Sequence, residues 1–324
     1  MFKKYHIIDT FNLQMFAEPN TQTTGTASLS DEMKTFYSSY LIDNAVPMLV
    51  HDQFGQKHPI PKNGGKTIEF RKYSPLPKLL TPLTEGVTPN GQTLTVSTIE
   101  ATVAQYGGYI TLSDVLLLTA IDNNLVQATQ LLGDQAGATL DTITREVLNG
   151  GTNVVYSGGV SDRGSLAAFL TVDDVKKAVR ALKTQNAKKI DGSFVGIIHP
   201  DVTYDLTNDP KWEAVKTYDP SDWYEGEIGK IAGCRFVETT EAKIFEGGVY
   251  ATLVLGDNAY GVTEVEGGGL EHIVKQLGSA GTSDPINQRA TAGWKATKVA
   301  ERLVEQFMVR IESKSTFSAE AKAN

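Results

Sequence analysis

Four groups of residues in this sequence have types and spacings that could do chemistry. Gly64-Gly65-Lys66-Thr67 ends as a phosphate-binding loop does, with a lysine after a glycine turn whose amides can cradle phosphate. That loop also needs a glycine five residues before Gly65, where Ile60 stands, and a helix after it, where TIEFRKY alternates as a strand does. The tetrapeptide therefore reads as a turn opening a strand. His51, Asp52 and His58 are metal-ligand types, yet the seven-residue step between the histidines matches neither a helical i,i+4 pair nor a zinc finger. Both read as surface histidines. Asp219 and Asp222 could pair as an acid and a base, but they lie around Pro220 in a generally acidic segment and read as a solvated face. Cys234 stands alone between Gly233 and Arg235, and reads as a small buried residue. No Gly-x-Ser-x-Gly elbow occurs, and no Gly-x-Gly-x-x-Gly follows a strand. No catalytic, cofactor-binding or metal-binding residue is assigned, and the expectation is a protein that is not an enzyme and needs no cofactor.

Composition narrows the class further. A chain of 324 residues has room for about two domains or one elaborate domain, and buries enough surface to be stable without disulfides or metals. With 40% hydrophobic and 21% charged residues it is globular in type rather than disordered. A net charge of −8 argues against a protein that coats nucleic acid, so any such contact is local. The single cysteine excludes an internal disulfide and fits a reducing compartment. The longest apolar run, around Val115–Leu118, falls far short of the roughly 20 residues that span a bilayer, so no membrane helix is expected. Asp9, Asn12 and Gln14 interrupt what would be a signal core, and the N-terminus reads as a retained arm.

The elements that would position any site have distinct textures. Ile7, Ile8, Phe11, Met15 and Phe16 give the arm a helical apolar stripe, and residues 17–30 form a polar connector. Such a stripe docks either on its own body or on another chain. A short helical stretch follows over Asp31–Leu49. KTIEFRKY at 66–73 and QTLTVSTIEATVAQY at 92–106 alternate at period two, and the segment between them holds four prolines and two glycines. A long two-stranded ribbon is expected, and an isolated ribbon is marginal in water, so it needs a surface to lie on. Residues 55–83 carry Lys57, Lys62, Lys66, Arg71, Lys72 and Lys78 against Glu69 alone, a local +5.

From Ser113 to Leu148 apolar or small residues recur every three or four positions, which predicts one helix about 54 Å long, ended by Asn149-Gly150-Gly151. Gly133 and Gly137 predict a bend or a close backbone approach within it; Asp134 and Gln135 between them exclude a membrane dimer motif. Residues 171–268 read as α/β, with a helix capped by Thr171 and strands at FVGIIHP, RFVETT and VYATLVLG. Residues 201–227 carry a local −6 that includes Asp219, Asp222, Glu225 and Glu227. Phe307, Val309 and Ile311 alternate with Met308, Arg310 and Glu312 in a closing strand.

The order of parts, with GGKTIEFRKYSPL (64–76), LTEGVTP (83–89), SDVLLLTAID (113–122) and GTSDPINQRATAGWK (281–295), resembles the major capsid proteins of tailed bacteriophages. These have the Hong Kong 97-type fold, and the likeness is greatest to the coliphage N-four type and covers roughly residues 30–315. The resemblance implies an α+β chain with an N-terminal arm and linker (1–50), an extended β-hairpin loop (51–108) and a peripheral domain (109–170) with a spine helix at 113–148. An axial α/β domain (171–268) follows, then a return to the peripheral domain (269–324). It implies a structural subunit that self-assembles into pentamers and hexamers of an icosahedral shell around double-stranded DNA, held without sequence specificity. Scaffolding, portal and decoration proteins are the further partners; assembly occurs in the host bacterial cytoplasm, and no membrane is involved. Intersubunit contacts are expected between Lys62, Lys66, Arg71, Lys72 and Lys78 of one copy and Asp219, Asp222, Glu225 and Glu227 of the next. The lysine–asparagine crosslink of some members matches no residues here and is not expected. The other readings are a shell subunit of a bacterial encapsulating compartment and a cytosolic α/β enzyme with a site in 171–268.

Overall fold

A computed structural model of the chain describes residues 21–22, 50–61, 65–73, 76–83, 85–88, 90–119, 124–212, 229–263, 270–279 and 284–324. In chain order the first elements are β1 (Thr21–Gln22), β2 (Gln56–Lys57), β3 (Thr67–Tyr73), β4 (Val96–Thr102), β5 (Ala104–Ser113), α1 (Asp114–Thr119), α2 (Asn124–Asn149) and β6 (Val154–Tyr156). Next come α3 (Val172–Thr184), β7 (Phe194–Ile198), α4 (Pro200–Thr207), β8 (Lys230–Ile231), β9 (Cys234–Glu238), β10 (Ile244–Phe245) and β11 (Val249–Leu255). The last strands are β12 (Tyr260–Thr263), β13 (Glu271–Lys275), β14 (Arg289–Arg302) and β15 (Met308–Ser313). The chain divides into two compact units, one of residues 1–42, 108–132 and 272–294, the other of 43–107, 133–271 and 295–324.

In the first unit β1 pairs in parallel with Thr111 and Leu112 of β5. Leu112, Leu116 and Ala128 form a small core with Ile110 and Leu117 against it. A Cβ on Gly293 would stand 2.9 Å from the Gly108 carbonyl oxygen and from Tyr109 Cβ, so this part of β14 passes β5 at a distance only glycine allows. Ser113 Oγ accepts the Leu116 N–H at 3.2 Å and caps the start of α1.

The second unit is built on a seven-stranded mixed sheet in the order β6-β15-β11-β7-β9-β8, with β10 on β11. Alternation along the strands sends residues to two cores. Phe194, Ile198, Tyr250, Val254, Val309 and Ile311 pack with Val175, Val179 and Leu182 of α3 and Val202 and Leu206 of α4. Ile197, Leu253 and Leu255 pack with Leu148 of α2, Val50 and Tyr260. Because both faces are covered, β7 and β11 are buried at every position and read as continuous apolar runs. Each fully buried aliphatic side chain contributes about 1.5–3 kcal/mol relative to exposure. α3 follows its predicted period, with Val172, Val175, Val179 and Leu182 inward. Thr171 Oγ1 accepts the Asp174 N–H and donates to its carboxylate at 2.8 Å, closing a capping pair.

Of the helix predicted over 113–148, Asp114–Thr119 and Asn124–Asn149 are helical, and 120–123 lie outside the described residues. α2 runs on through Gly133, and among the described residues an added Cβ there would meet nothing within 4 Å. The strand expected over 92–106 is two strands parted at Val103, whose N–H donates to the Lys66 carbonyl at 2.8 Å. The closing strand β15 pairs antiparallel with β11 and parallel with β6, and its Val309 and Ile311 lie in the core shared with α3. The N-terminal arm, apart from Thr21 and Gln22, lies outside the described residues.

Candidate assembly interface

The ribbon is β3 and β4, an antiparallel two-stranded sheet in register from Thr67↔Thr102 to Tyr73↔Val96. Period two divides it into faces. Ile68, Phe70, Ile99 and Ala101 lie on the face turned to the body, with Phe70 and Ala101 buried. Phe70 covers Gly261 of β12, where an added Cβ would stand 2.8 Å from its ring. β12 in turn pairs with β14 and, in parallel, with β2, so the base of the ribbon rests on strands.

Beneath that base lies a buried polar cluster. His51 Nδ1 meets Asp141 Oδ2 at 2.6 Å, and the other carboxylate oxygen accepts the His51 backbone N–H at 2.8 Å. Thr144 Oγ1 donates to Asp52 at 2.5 Å, and Lys298 Nζ bonds the same carboxylate and the Leu140 carbonyl. Tyr260 donates its hydroxyl to the His51 carbonyl. Burial, reinforced by the Asp52 charge, pushes the Tyr260 phenol far above its ordinary value and keeps it a donor. The cluster pins residues 51–52 to α2, β12 and β14. His51 is thus a buried structural residue and not the surface histidine the spacing implied, while His58 is exposed. The error came from judging the pair by metal spacing alone; the Asp141 partner lies 90 residues away.

A cavity of about 610 Å³ opens beside this cluster. Asp52 and Lys298 reach it already paired with each other, and Pro59, Leu140, Val262, Leu270 and Ala296 supply apolar wall.

The structure does not gather the predicted basic residues on one surface. Lys66 is exposed at the base, Arg71 is exposed on the outer face with Glu69 at 3.6 Å, Lys72 is half-buried on the inner face, and Lys78 is exposed at the tip. Glu69 lies opposite Glu100, so the outer face carries both signs. Lys62, Asp219, Asp222, Glu225 and Glu227 lie outside the described residues. Sequence reasoning missed the most exposed feature, the apolar tip: Leu79, Leu80 and Leu83 are 77%, 85% and 77% exposed, with Leu76, Val87 and Leu94 also open. The signal was present as leucines interleaved with Pro75, Pro77 and Pro82, where turn chemistry alone calls for polar residues.

Exposed apolar residues clustered in this way mark a surface suited to contact with another molecule. Among the described residues no three metal-ligating side chains cluster, and no helix is long and apolar enough to cross a membrane. A family model described as phage capsid protein matches residues 95–303, well over half of the chain. This chain belongs to the phage capsid protein family. The capsid protein is therefore a structural subunit of the virion shell rather than an enzyme. Its mixed α/β fold matches solved capsids. Against the capsid of cyanophage P-SCSP1u the TM-score is 0.66 at 12% identity, covering 87% of this chain and 93% of that one. Against the capsid of Ralstonia phage GP4 it is 0.65 at 15% identity, covering 87% and 95%. The encapsulin SrpI of Synechococcus elongatus PCC 7942 shares the fold at a TM-score of 0.56 and 8% identity, covering 89% and 95%. No curated protein matches this capsid protein in sequence.

Proposed function

We propose that this capsid protein is the major shell subunit of a tailed phage, with the Hong Kong 97-type fold and of the coliphage N-four kind. Copies assemble into pentamers and hexamers that close an icosahedral shell around double-stranded DNA. The observation that carries this reading is the β3–β4 ribbon: a two-stranded sheet with one face against the body and an exposed apolar tip offers a surface to a second chain. In this reading 1–50 is the arm and linker, 51–108 the extended loop, 109–170 the peripheral domain and 171–268 the axial domain. Residues 269–324 return to the peripheral domain. Scaffolding, portal and decoration proteins are the further partners, and assembly takes place in the host cytoplasm.

The hairpin lies across the neighbouring subunit, with Lys62, Lys66, Arg71, Lys72 and Lys78 near its Asp219, Asp222, Glu225 and Glu227. Exposed pairs of this kind contribute only about 0–1 kcal/mol each, so charge sets register more than strength. Light-scattering mass with negative-stain microscopy, repeated with a crowding agent, tests the reading; closed shells, tubes or five- and six-fold rings are expected, and persistent monomer or dimer overturns it. Reversing Arg71 and Lys72 to glutamate is expected to impair assembly at low salt, and unchanged assembly removes the charge contact.

A second reading, a cellular encapsulating shell, is favoured only by the likeness to the SrpI encapsulin. Packaged protein cargo in place of DNA would establish it.

A further inference from the structure

We infer that the basic side of α3, with the two lysines that follow it, is where the capsid protein holds the phosphate backbone of the enclosed DNA. This rests on the reading of the chain as a shell subunit around double-stranded DNA, and it names the surface that meets the nucleic acid. Between Val175 and Ile190 the chain carries Lys176, Lys177, Arg180, Lys183, Lys188 and Lys189 and no acidic residue, a local +6 in a protein of net charge −8. All six are exposed. The acidic balance of the rest of the chain repels phosphate, so contact with DNA has to be made at a local patch of this kind.

The fold lines these charges up. Val175, Val179 and Leu182 turn one side of α3 to the core, which leaves Lys176, Arg180 and Lys183, at steps of four and three, in one row along its exposed side. The row rises about 10.5 Å at 1.5 Å per residue, close to the rise of about three phosphates along one DNA strand. A shallow hollow of about 510 Å³ borders it, lined also by Val179, Thr184 and Ala232. Beyond the helix, Ala187 packs on the core and the Lys188 carbonyl accepts the Asp257 N–H at 2.9 Å, so the last two lysines stand on fixed backbone.

Most of these charges have no counter-charge in their own chain. Lys176 and Lys177 pair with Asp173 and Asp174 one turn back, whereas Arg180, Lys183, Lys188 and Lys189 form no ion pair among the described residues. Like charges three and four residues apart weaken a helix, so the row works against the stability of α3 and suits an anion from outside. The hairpin offers no equivalent, because its cations are divided between two faces and the tip. Exposed cations of this kind contact phosphate and carry no sequence information, which suits a shell that encloses a whole genome.

Fluorescence anisotropy of a short labelled DNA duplex, titrated with the unassembled full-length chain, tests the surface. With each of the four unpaired cations on a phosphate, log K is expected to fall against log salt with a slope of about −3.6, a loss of about 150-fold between about 50 and 200 mM. The combined variant Arg180→Gln, Lys183→Gln, Lys188→Gln, Lys189→Gln is expected to lose most of the affinity and most of the slope. Exchanging the same three lysines for arginine keeps the charge and should leave binding at the wild-type level. Arg180→Gln alone, expected to reduce the slope by about 0.9, reads the same contact should the combined variant not fold.

A matched variant with Lys66→Gln, Arg71→Gln, Lys72→Gln and Lys78→Gln removes the same charge from the hairpin and is expected to bind the duplex as the wild type does. Equal losses in the two combined variants, or wild-type binding by the α3 variants, overturn the inference. A wild-type chain that builds shells but binds no duplex overturns it too, with the shell reading left standing. If a folded α3 variant fails to build shells from DNA-free protein, the face is a contact between copies and the inference falls. Failure of the wild-type chain to assemble defeats the capsid reading itself, and the assignment to enclosed DNA with it.

Discussion

The Phe70 ring stands where a side chain on Gly261 would be: a Cβ there would lie 2.8 Å from the ring. This contact joins the inner face of the ribbon to β12, and with it the hairpin to the body. Gly261→Ala forces the ring or the strand to move. It is expected to destabilise by about 1–3 kcal/mol, as overpacking does. Hydrogen exchange should show the loss concentrated in Thr67–Tyr73 and Val96–Thr102; a uniform loss would mean the contact does not anchor the ribbon.

Lys298 and Asp52 form a charged pair that is largely buried, with side chains 6% and 18% exposed. Lys298→Met leaves the Asp52 carboxylate with Thr144 alone, and such unpaired buried charge costs about 3–5 kcal/mol. Adding Asp52→Asn removes the charge, and the double variant is expected to regain most of the loss. Urea denaturation of the four proteins completes the cycle.

His199 caps α4 by accepting the Asp201 N–H on Nδ1 at 3.2 Å, which requires that nitrogen to be unprotonated. Burial pushes its pKa below the ordinary 6.5, against the opposing pull of Asp201 and Glu238. The imidazole is neutral in both folded and unfolded chains above 6.5 and contributes no pH dependence there. Below 6.5 the unfolded chain takes the proton first, so stability falls as pH drops. His199→Asn keeps a capping acceptor and cannot titrate. The stability difference between the two proteins is expected to be flat above about pH 7 and to move in favour of the variant between pH 6.5 and 5.

Burial pushes the Cys234 thiol up to about 12. Because the thiolate is the reactive form, labelling at pH 8 should be negligible in the native protein and complete after unfolding. Rapid native labelling would show that the sheet opens locally around β8 and β9.

Local pattern alone determined several of the elements. The alternation in TIEFRKY, the capped period of α3 and the apolar runs of β7 and β11 are properties of neighbouring residues, and the structure has them where the pattern put them. Thr171 and the Asn149-Gly150 stop were legible for the same reason, since caps and turns act within one helical turn of chain. The order of those elements, with its short strings, was enough to indicate a capsid.

Tertiary structure decided what depends on distant partners. His51 became a buried anchor because Asp141 meets it across 90 residues, and no spacing rule reaches that far. The closing strand's alternation announced a strand but not its neighbours, and only pairing with β11 and β6 placed it in the sheet facing α3. The hairpin's charge could be summed from sequence, yet the period-two faces put Arg71 outside beside Glu69 and turned Lys72 inward. What remained exposed was the row of leucines at the tip. Composition cannot show that outcome, because exposure is a property of what the rest of the chain fails to cover.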